Sequence, residues 1–250
     1  MEGKTDSLGL LKIATLNCER KINTTILSII NQMKDDKIDI LMLQEVNTLN
    51  RKAKTVINMH HKGKFEINRN PNHTNEAGVM MLIRDRPDLE CKVITNLDKN
   101  GRLQMAEICF HDRNLRIINV YAPNKRPNRE AKFQEIMTHL EASDTIIGGD
   151  MNFIEDAQLD LSCIAIRAKR YENIGSDTRE TMKDTCGISD LWRHKNPYLR
   201  VFSRLDRRGT STRLDRIYGS PNLLDNIQKG EYIPNCLSDH SLHYINLKGL

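Results

Sequence analysis

Asn17, Glu45, Tyr121, Asp150, Asn152, Asp215, Asp239 and His240 stand where apolar runs of this sequence end. Their side chains are almost all oxygen donors: carboxylates, amides and a phenol, with one imidazole. No Cys/His cluster with zinc spacing accompanies them. Such a set suits a hard octahedral cation, Mg²⁺ or Mn²⁺, held by one or two carboxylates with water and a substrate phosphate completing the shell. That cation would neutralise charge developing on a phosphoryl oxygen. Asp150 could take a proton from an attacking water, and His240, next to Asp239, could sit protonated against the phosphorane. Together these groups point to phosphodiester hydrolysis.

The stretch Thr145-Ile-Ile-Gly-Gly-Asp-Met-Asn152 is the centre of this arrangement. Ile146 and Ile147 read as a short buried strand, and Gly148-Gly149 permit a sharp turn or a close backbone approach. Asp150 and Asn152 share a face if the chain stays extended. Upstream, Leu11–Asn17 reads as a strand and Arg20–Lys37 as a helix, with Ile22, Ile26, Ile29, Ile30 and Met33 on one stripe. The apolar run Ile38–Gln44 reads as a strand covered on both faces. In a parallel βαβ unit Asn17 and Glu45 then fall on one edge of a sheet. Asn47–Asn75 reads as a helix and loops. Four strands with polar turns follow, Ala77–Arg84, Leu89–Thr95, Arg102–Phe110 and Leu115–Tyr121, a pattern of antiparallel hairpins. Arg129–Ala142 is an amphipathic helix, Asp177–Cys186 a short helix, and Leu242–Leu247 a closing strand. The expected architecture is one α/β domain over residues 1–250, two sheets packed face to face with helices outside.

Composition is that of a globular, moderately basic chain. The chain has 250 residues, a net charge of +5 and a pI near 8.8, a weak bias towards a polyanionic partner. No apolar run approaches bilayer length, and the N-terminus lacks a secretory core, so no membrane is expected. Six cysteines without a Cys-x-x-Cys pair read as reduced intracellular thiols. His60-His61 reads as surface, because adjacent side chains rarely meet at one centre. His240 and His243 are spaced for a metal only on a helix, and here the chain reads as loop then strand. Val201–Arg216 reads as a hairpin with Gly209 near its tip. Arg200–Arg216 brings six arginines (Arg200, Arg204, Arg207, Arg208, Arg213, Arg216) against Asp206 and Asp215. Arginine's planar fork suits phosphate, so this hairpin is a candidate phosphate contact.

The ordered set TLN (15–17), LQE (43–45), NVYAPN (119–124), GGDMN (148–152), TRLDRI (212–217) and LSDHS (237–241) resembles the endonuclease/exonuclease/phosphatase superfamily. Within it, the chain is most similar to the apurinic-like endonuclease domain of LINE-type (non-LTR) retrotransposons. The resemblance spans essentially the whole chain and implies a four-layer α/β sandwich. It implies that Glu45 binds the metal with Asn17 beside it, and that Asp215 lies near the metal. Asp150 would orient or deprotonate the water, Asn152 hold the scissile phosphate, and Tyr121 serve as the active-site tyrosine. Asp239-His240 would be the terminal pair, with His240 on the phosphate. Asn124 would contact DNA, as would the hairpin residues Arg204, Arg207, Arg208 and Thr212.

Two departures from the family pattern bear on specificity. Glu19 stands where many members carry an aspartate. The Trp-containing loop of abasic-site enzymes is replaced by Val201-Phe-Ser-Arg-Leu205, and the only tryptophan is Trp192. That favours an intact duplex read by charge and shape. The resemblance further implies double-stranded target DNA in the nucleus, a nick whose 3′-hydroxyl primes reverse transcription, and a linked reverse transcriptase from which this domain, monomeric alone, was excised. Alternative readings are an abasic-site repair endonuclease, or a lipid or inositol-phosphate phosphodiesterase on the same fold.

Overall fold

The computed structural model describes residues 9–71, 77–140, 144–162 and 177–250. In chain order the elements are β1 (Leu10–Asn17), α1 (Ile22–Asp35), β2 (Ile40–Gln44), α2 (Arg51–His60), β3 (Gly63–Asn68), β4 (Val79–Arg84), β5 (Leu89–Asn96), β6 (Leu103–Phe110) and β7 (Arg113–Tyr121). They continue with α3 (Arg126–Met137), β8 (Asp144–Asp150), α4 (Asp177–Cys186), β9 (Ser189–Asp190) and α5 (Leu191–Lys195). The hairpin β10 (Arg204–Leu205) and β11 (Ser211–Thr212) follows, then β12 (Asp215–Gly219), a 3₁₀ turn (Pro221–Asn226), β13 (Ile227–Ile233) and β14 (Leu242–Lys248). One six-stranded sheet runs β13-β14-β1-β2-β4-β3 and the other β5-β6-β7-β8-β12-β9. Both are mixed, with β1–β2 and β7–β8 parallel and the remaining ladders antiparallel.

The layering follows from which residues are apolar on which face. Ile13, Met42, Met81, Phe110, Ile117, Ile146, Ile217 and Ile245 fill the space between the sheets. Ile22, Ile26, Ile29, Ile30 and Met33 of α1 close the outside of the first sheet, joined by Ala53 and Ile57 of α2. Phe133 and Ile136 of α3, with Met182 of α4, close the outside of the second. This is the four-layer sandwich. Each such fully buried side chain contributes on the order of 2 kcal/mol of transfer free energy, before chain entropy is set against it. β2, central and buried at all five residues, is the covered strand its apolar run suggested.

The structure departs from the sequence reading at two places that matter for register. β3 lies in the polar stretch read as helix and loops; the helix α2 is there, and a strand follows it. Lys64 and Glu66 of this edge strand face solvent, while Phe65 and Ile67 are only half-buried, so its alternation is short and masked by charge. β5, β6 and β7 form the expected antiparallel meander. β4 and β5 do not pair, because the chain there crosses from one sheet to the other.

Beneath the end of the sandwich that carries the site, a buried polar bridge joins the sheets. Gln44 Nε2 donates to Asn119 Oδ1 at 2.8 Å, and Asn119 Nδ2 donates to Met80 O at 3.0 Å and Leu43 O at 3.2 Å. These amides satisfy one another while fully buried, which fixes one alignment of the two sheets rather than a sliding apolar contact. Gly149 explains the tight entry to the site. A Cβ there would sit 1.9 Å from Val120 O, and its φ of +149° disfavours any side chain.

Candidate active site

Strand registers bring the acids together. Tyr121, last residue of β7, lies opposite Asp150, last residue of β8, and Asp150 lies opposite Asp215, first residue of β12. On the facing sheet Asn17 ends β1 beside Gln44, and Glu45 follows directly. His240 precedes β14, the other neighbour of β1. Residues far apart in sequence thus meet at one end of the sandwich because parallel and antiparallel partners terminate there together.

Asn17 is the hinge of the cluster. Its Nδ2 donates to Asp150 Oδ2 at 3.0 Å and to Glu45 Oε1 at 3.2 Å, while Tyr121 Oη donates to the same Glu45 oxygen at 2.8 Å. Burial, with Glu45 and Asp150 nearby, pushes the Tyr121 hydroxyl up, so it stays a proton donor. Glu45 sits in the left-handed region at φ 54°, a backbone strain tolerated where it aims a functional carboxylate. Asn17 and Glu45 therefore do share one edge, as the βαβ reading required.

Asp150 and Asn152 differ from the extended arrangement expected of them. Asn152 takes a left-handed conformation, φ 52°, and its own amide N–H donates to Asp150 Oδ1 at 3.0 Å. Its side-chain Nδ2 donates to Ala122 O at 2.7 Å. Burial, then the adjacent Asp215, raises the Asp150 pKa to about 6, although His240 and Asn17 pull the other way. A carboxyl poised there is a competent base near neutrality.

The histidine pairing also differs. His240 Nδ1 lies 2.7 Å from Asp215 Oδ2, whereas Asp239 Oδ1 stands 3.6 Å from Nε2, beyond hydrogen-bond reach. Asp239 thus stands as a charged neighbour of Nε2, and Asp215, hydrogen-bonded at Nδ1, orients the imidazole. Asp215 holds the histidine through Oδ2 while its Oδ1 stays in the acidic group it forms with Asp150. Burial works against the charged imidazolium, yet Asp215, Asp150 and Asp239 outweigh it and raise the His240 pKa to about 9. A protonated ring cannot ligate a cation; it suits an anionic oxygen.

The remaining candidates divide by exposure. Asn124 is exposed just beyond β7, and Arg207 and Arg208 project from the hairpin tip. Arg204 is partly exposed and its Nε lies 3.2 Å from Asp239 Oδ2, tying the hairpin to the site. Thr212 is a correction: only 3% exposed, it pairs with Arg204 and bridges to Leu161, and so cannot present itself to DNA. Arg213 and Arg216 are fully buried and bind Asp160 at 2.7 and 3.0 Å, so the arginine surplus of the hairpin is partly internal. Arg200 Nη2 donates to Leu161 O at 2.7 Å. Glu19 pairs with Lys21, and its own N–H donates to Asn17 Oδ1 at 2.9 Å.

Sequence reasoning missed Arg129. Its Nη1 donates to Asn124 O at 2.9 Å and Asn152 O at 3.1 Å, clamping the loops after β7 and β8 against each other. An arginine inside an apolar stripe was the only signal available.

The oxygen-rich donor set fits a divalent ion. Asp215 Oδ1 and Asp239 Oδ1 are buried oxygens that accept no hydrogen bond among the described residues. One ligand atom each from Asp150, Asp215 and His240 lie within 4.8 Å of one another, although His240 Nδ1 is already taken by Asp215. The charged acids therefore outnumber their donors, which a hard cation would correct.

A four-layer sandwich with acids, amides and one imidazole gathered at its open end is a scaffold for metal-assisted hydrolysis. Residues 14–240 match the model of the Endonuclease/Exonuclease/phosphatase family, and the chain belongs to that family. It is 27% identical over 241 residues to the Transposon TX1 uncharacterized 149 kDa protein of Xenopus laevis, covering 92% of this chain. The chain spans 18% of the length of that relative. Among solved structures it is similar to the AP endonuclease LMAP from Leishmania major (TM-score 0.76, 18% identity, 98% of this chain and 90% of that one). It is likewise similar to an AP endonuclease from Archaeoglobus fulgidus (0.73, 21%, 96% and 100%). A third similar structure is the 3′ phosphatase NExo from Neisseria bound to product DNA hairpin (0.74, 19%, 96% and 100%).

Proposed function

We propose that this chain is a Mg²⁺-dependent endonuclease that nicks double-stranded target DNA and leaves a 3′-hydroxyl able to prime reverse transcription. On this reading it is one domain of a larger retrotransposon protein that also carries a reverse transcriptase and acts on chromosomal DNA in the nucleus. The observation that carries the nuclease reading is the convergence of Asn17, Glu45, Asp150, Asp215 and His240 at one end of the sandwich, with Asn17 bonded to both Glu45 and Asp150 and His240 bonded to Asp215. Similarity to a transposon protein supports the retrotransposon context.

Glu45, with Asn17 beside it, would hold the ion, and Mn²⁺ would substitute. The ion supplies charge neutralisation at the scissile phosphate. Asp150, held by Asn17 and the Asn152 amide, accepts the proton of the attacking water. His240, held by Asp215, keeps its proton and donates Nε2–H to a phosphate oxygen. Asn152 offers a further donor to the phosphate through the second hydrogen of Nδ2, and Tyr121, whose hydroxyl donates to Glu45, holds that carboxylate in place.

Supercoiled plasmid with Mg²⁺ tests the proposal: nicked circles should form, and Asp150→Ala should abolish them. Cleavage of a phosphoinositide with plasmid untouched would instead establish the lipid-phosphodiesterase alternative. A duplex cut only at an inserted abasic site would establish the repair reading.

The rate should rise with pH as Asp150 ionises and fall as His240 loses its proton near 9. Bound Mg²⁺ favours the Asp150 carboxylate, so the acid limb should lie below 6 in the loaded enzyme. A profile without an alkaline limb up to pH 10 would remove His240⁺ from the reaction.

Arg207 and Arg208 are exposed, so replacing both with alanine should lower the log–log salt slope of DNA binding by about 2, one for each lost phosphate contact. An unchanged slope would place the hairpin away from DNA.

A further inference from the structure

Ser203 lies just before β10, fully buried, and touches three segments of the site at once. Its Oγ accepts the backbone N–H of Leu214 at 2.9 Å and of Asp215 at 3.0 Å. Its carbonyl accepts the N–H of Ser241 at 2.6 Å, and its own N–H donates to Thr212 O at 2.9 Å. Leu205 N–H donates to Asp239 O at 3.1 Å, so Arg204 lies opposite His240 in a short antiparallel bridge. The hydroxyl thus holds the backbone of the acid, and the carbonyl holds the residue after the histidine.

We infer that Ser203 is a positioning residue that sets the Asp215–His240 hydrogen bond, and that through it the DNA-facing hairpin is registered to the catalytic imidazole. The inference rests on the nuclease reading for its functional meaning, not for its geometry. Asp215 and His240 arrive on β12 and before β14, strands in different sheets with no backbone ladder between them. A separation of 2.7 Å between their side chains needs a common reference for the two backbones, and Ser203 bonds to both sides. Its side chain is small enough to sit between three strands and still present an acceptor; alanine would leave two buried N–H groups unpaired. Because Ser203 begins the hairpin that carries Arg204, Arg207 and Arg208, tension on that hairpin reaches the dyad through two hydrogen bonds rather than through the body of the fold.

The test uses the whole chain, free of metal and DNA, with His240 labelled for NMR. In the wild type a low-field Nδ1–H resonance from the Asp215 hydrogen bond should be present. Ser203→Ala should move it upfield or lose it while the methyl spectrum of the core is retained, and Ser203→Thr, which keeps the oxygen, should restore it. In nicking assays Ser203→Ala should lower kcat roughly 10- to 100-fold with KM within about threefold, the pattern of a misplaced transition-state group. An unmoved resonance in folded Ser203→Ala overturns the inference. Should Ser203→Ala fail to fold, Ser203→Cys, a weaker acceptor of similar size, should fold and shift the resonance part-way; no shift in that variant overturns the inference equally. A wild-type resonance that responds to Ser203 in a protein that never nicks DNA would uphold the positioning role and sink the nuclease reading instead.

Discussion

His240→Ala is expected to reduce kcat for nicking by roughly 1000-fold while DNA affinity changes by less than about threefold. The imidazole is 5% exposed and bonded at 2.7 Å to a fully buried carboxylate, so its orientation is set before substrate arrives. Three acids hold it protonated to about pH 9, and its Nε2–H has no hydrogen-bonded partner closer than the 3.6 Å contact to Asp239. A fixed cation of this kind is worth most where charge grows, on the phosphorane, and less on a ground-state phosphate. Single-turnover nicking and a filter-binding isotherm on the same duplex separate the two effects. Equal losses in rate and affinity would make His240 a ground-state phosphate contact, with Asp150 alone left to do proton chemistry. Asp215→Asn should act in the same direction but less severely, because the amide still reaches the ring while the negative charge that keeps it protonated is gone.

The pH dependence of stability carries the same sign. The folded pKa of His240 lies above its ordinary value of 6.5, so its contribution is complete below about 6.5 and disappears as pH rises through 9. Asp150 is raised as well, from 3.8 to about 6, so folding favours its neutral form, and stability from that source falls as pH climbs across that interval. The site is thus strained at neutral pH by an ionised Asp150 and relieved by a charged His240. That is the condition in which a divalent ion gains most from binding.

The clustering of the candidate residues was legible because each stands where an apolar run stops, and runs that stop at one edge of a sheet stop together. Asn17, Glu45, Tyr121 and Asp150 follow from strand periodicity alone once the strands are counted. The family motifs tie Asp215 and His240 to them. What periodicity does not encode is which neighbour a side chain turns towards. Adjacency in sequence suggested Asp239 for His240, but Asp239 reaches only to within 3.6 Å of Nε2, and the hydrogen-bonded partner came from β12 instead. The edge strand β3 escaped notice because Lys64 and Glu66, charged and solvent-facing, interrupt its short apolar alternation. Arg213 and Arg216 misled for the opposite reason: arginine is so rarely buried that a cluster of it reads as surface unless the paired acids, Asp160 and Asp190, are seen to converge from distant segments.

Those buried arginines define the second large effect. Asp160 is fully enclosed and serves three guanidinium groups, Arg193 and Arg213 at 2.7 Å and Arg216 at 3.0 Å. Burial opposes its ionisation, but Arg216 and Arg213 override this and hold the carboxyl well below the usual carboxylate range. Removing it by Asp160→Ala strands positive charge in the interior, at a cost of about 3–5 kcal/mol. For a chain of this size that corresponds to a fall in Tm on the order of 10 °C. Because the folded pKa is depressed, the stabilisation it confers is present above the ordinary value of 3.8 and is lost as pH falls towards the folded value, so the variant should differ least from the wild type in strong acid. Arg213→Met and Arg216→Met should likewise lower Tm and leave the salt slope of DNA binding untouched, whereas changes at Arg207 and Arg208 should alter the slope and spare Tm. A salt slope that fell in Arg213→Met would return that residue to the DNA surface, and a Tm unchanged in Asp160→Ala would mean the buried charges find other partners once the carboxylate is gone.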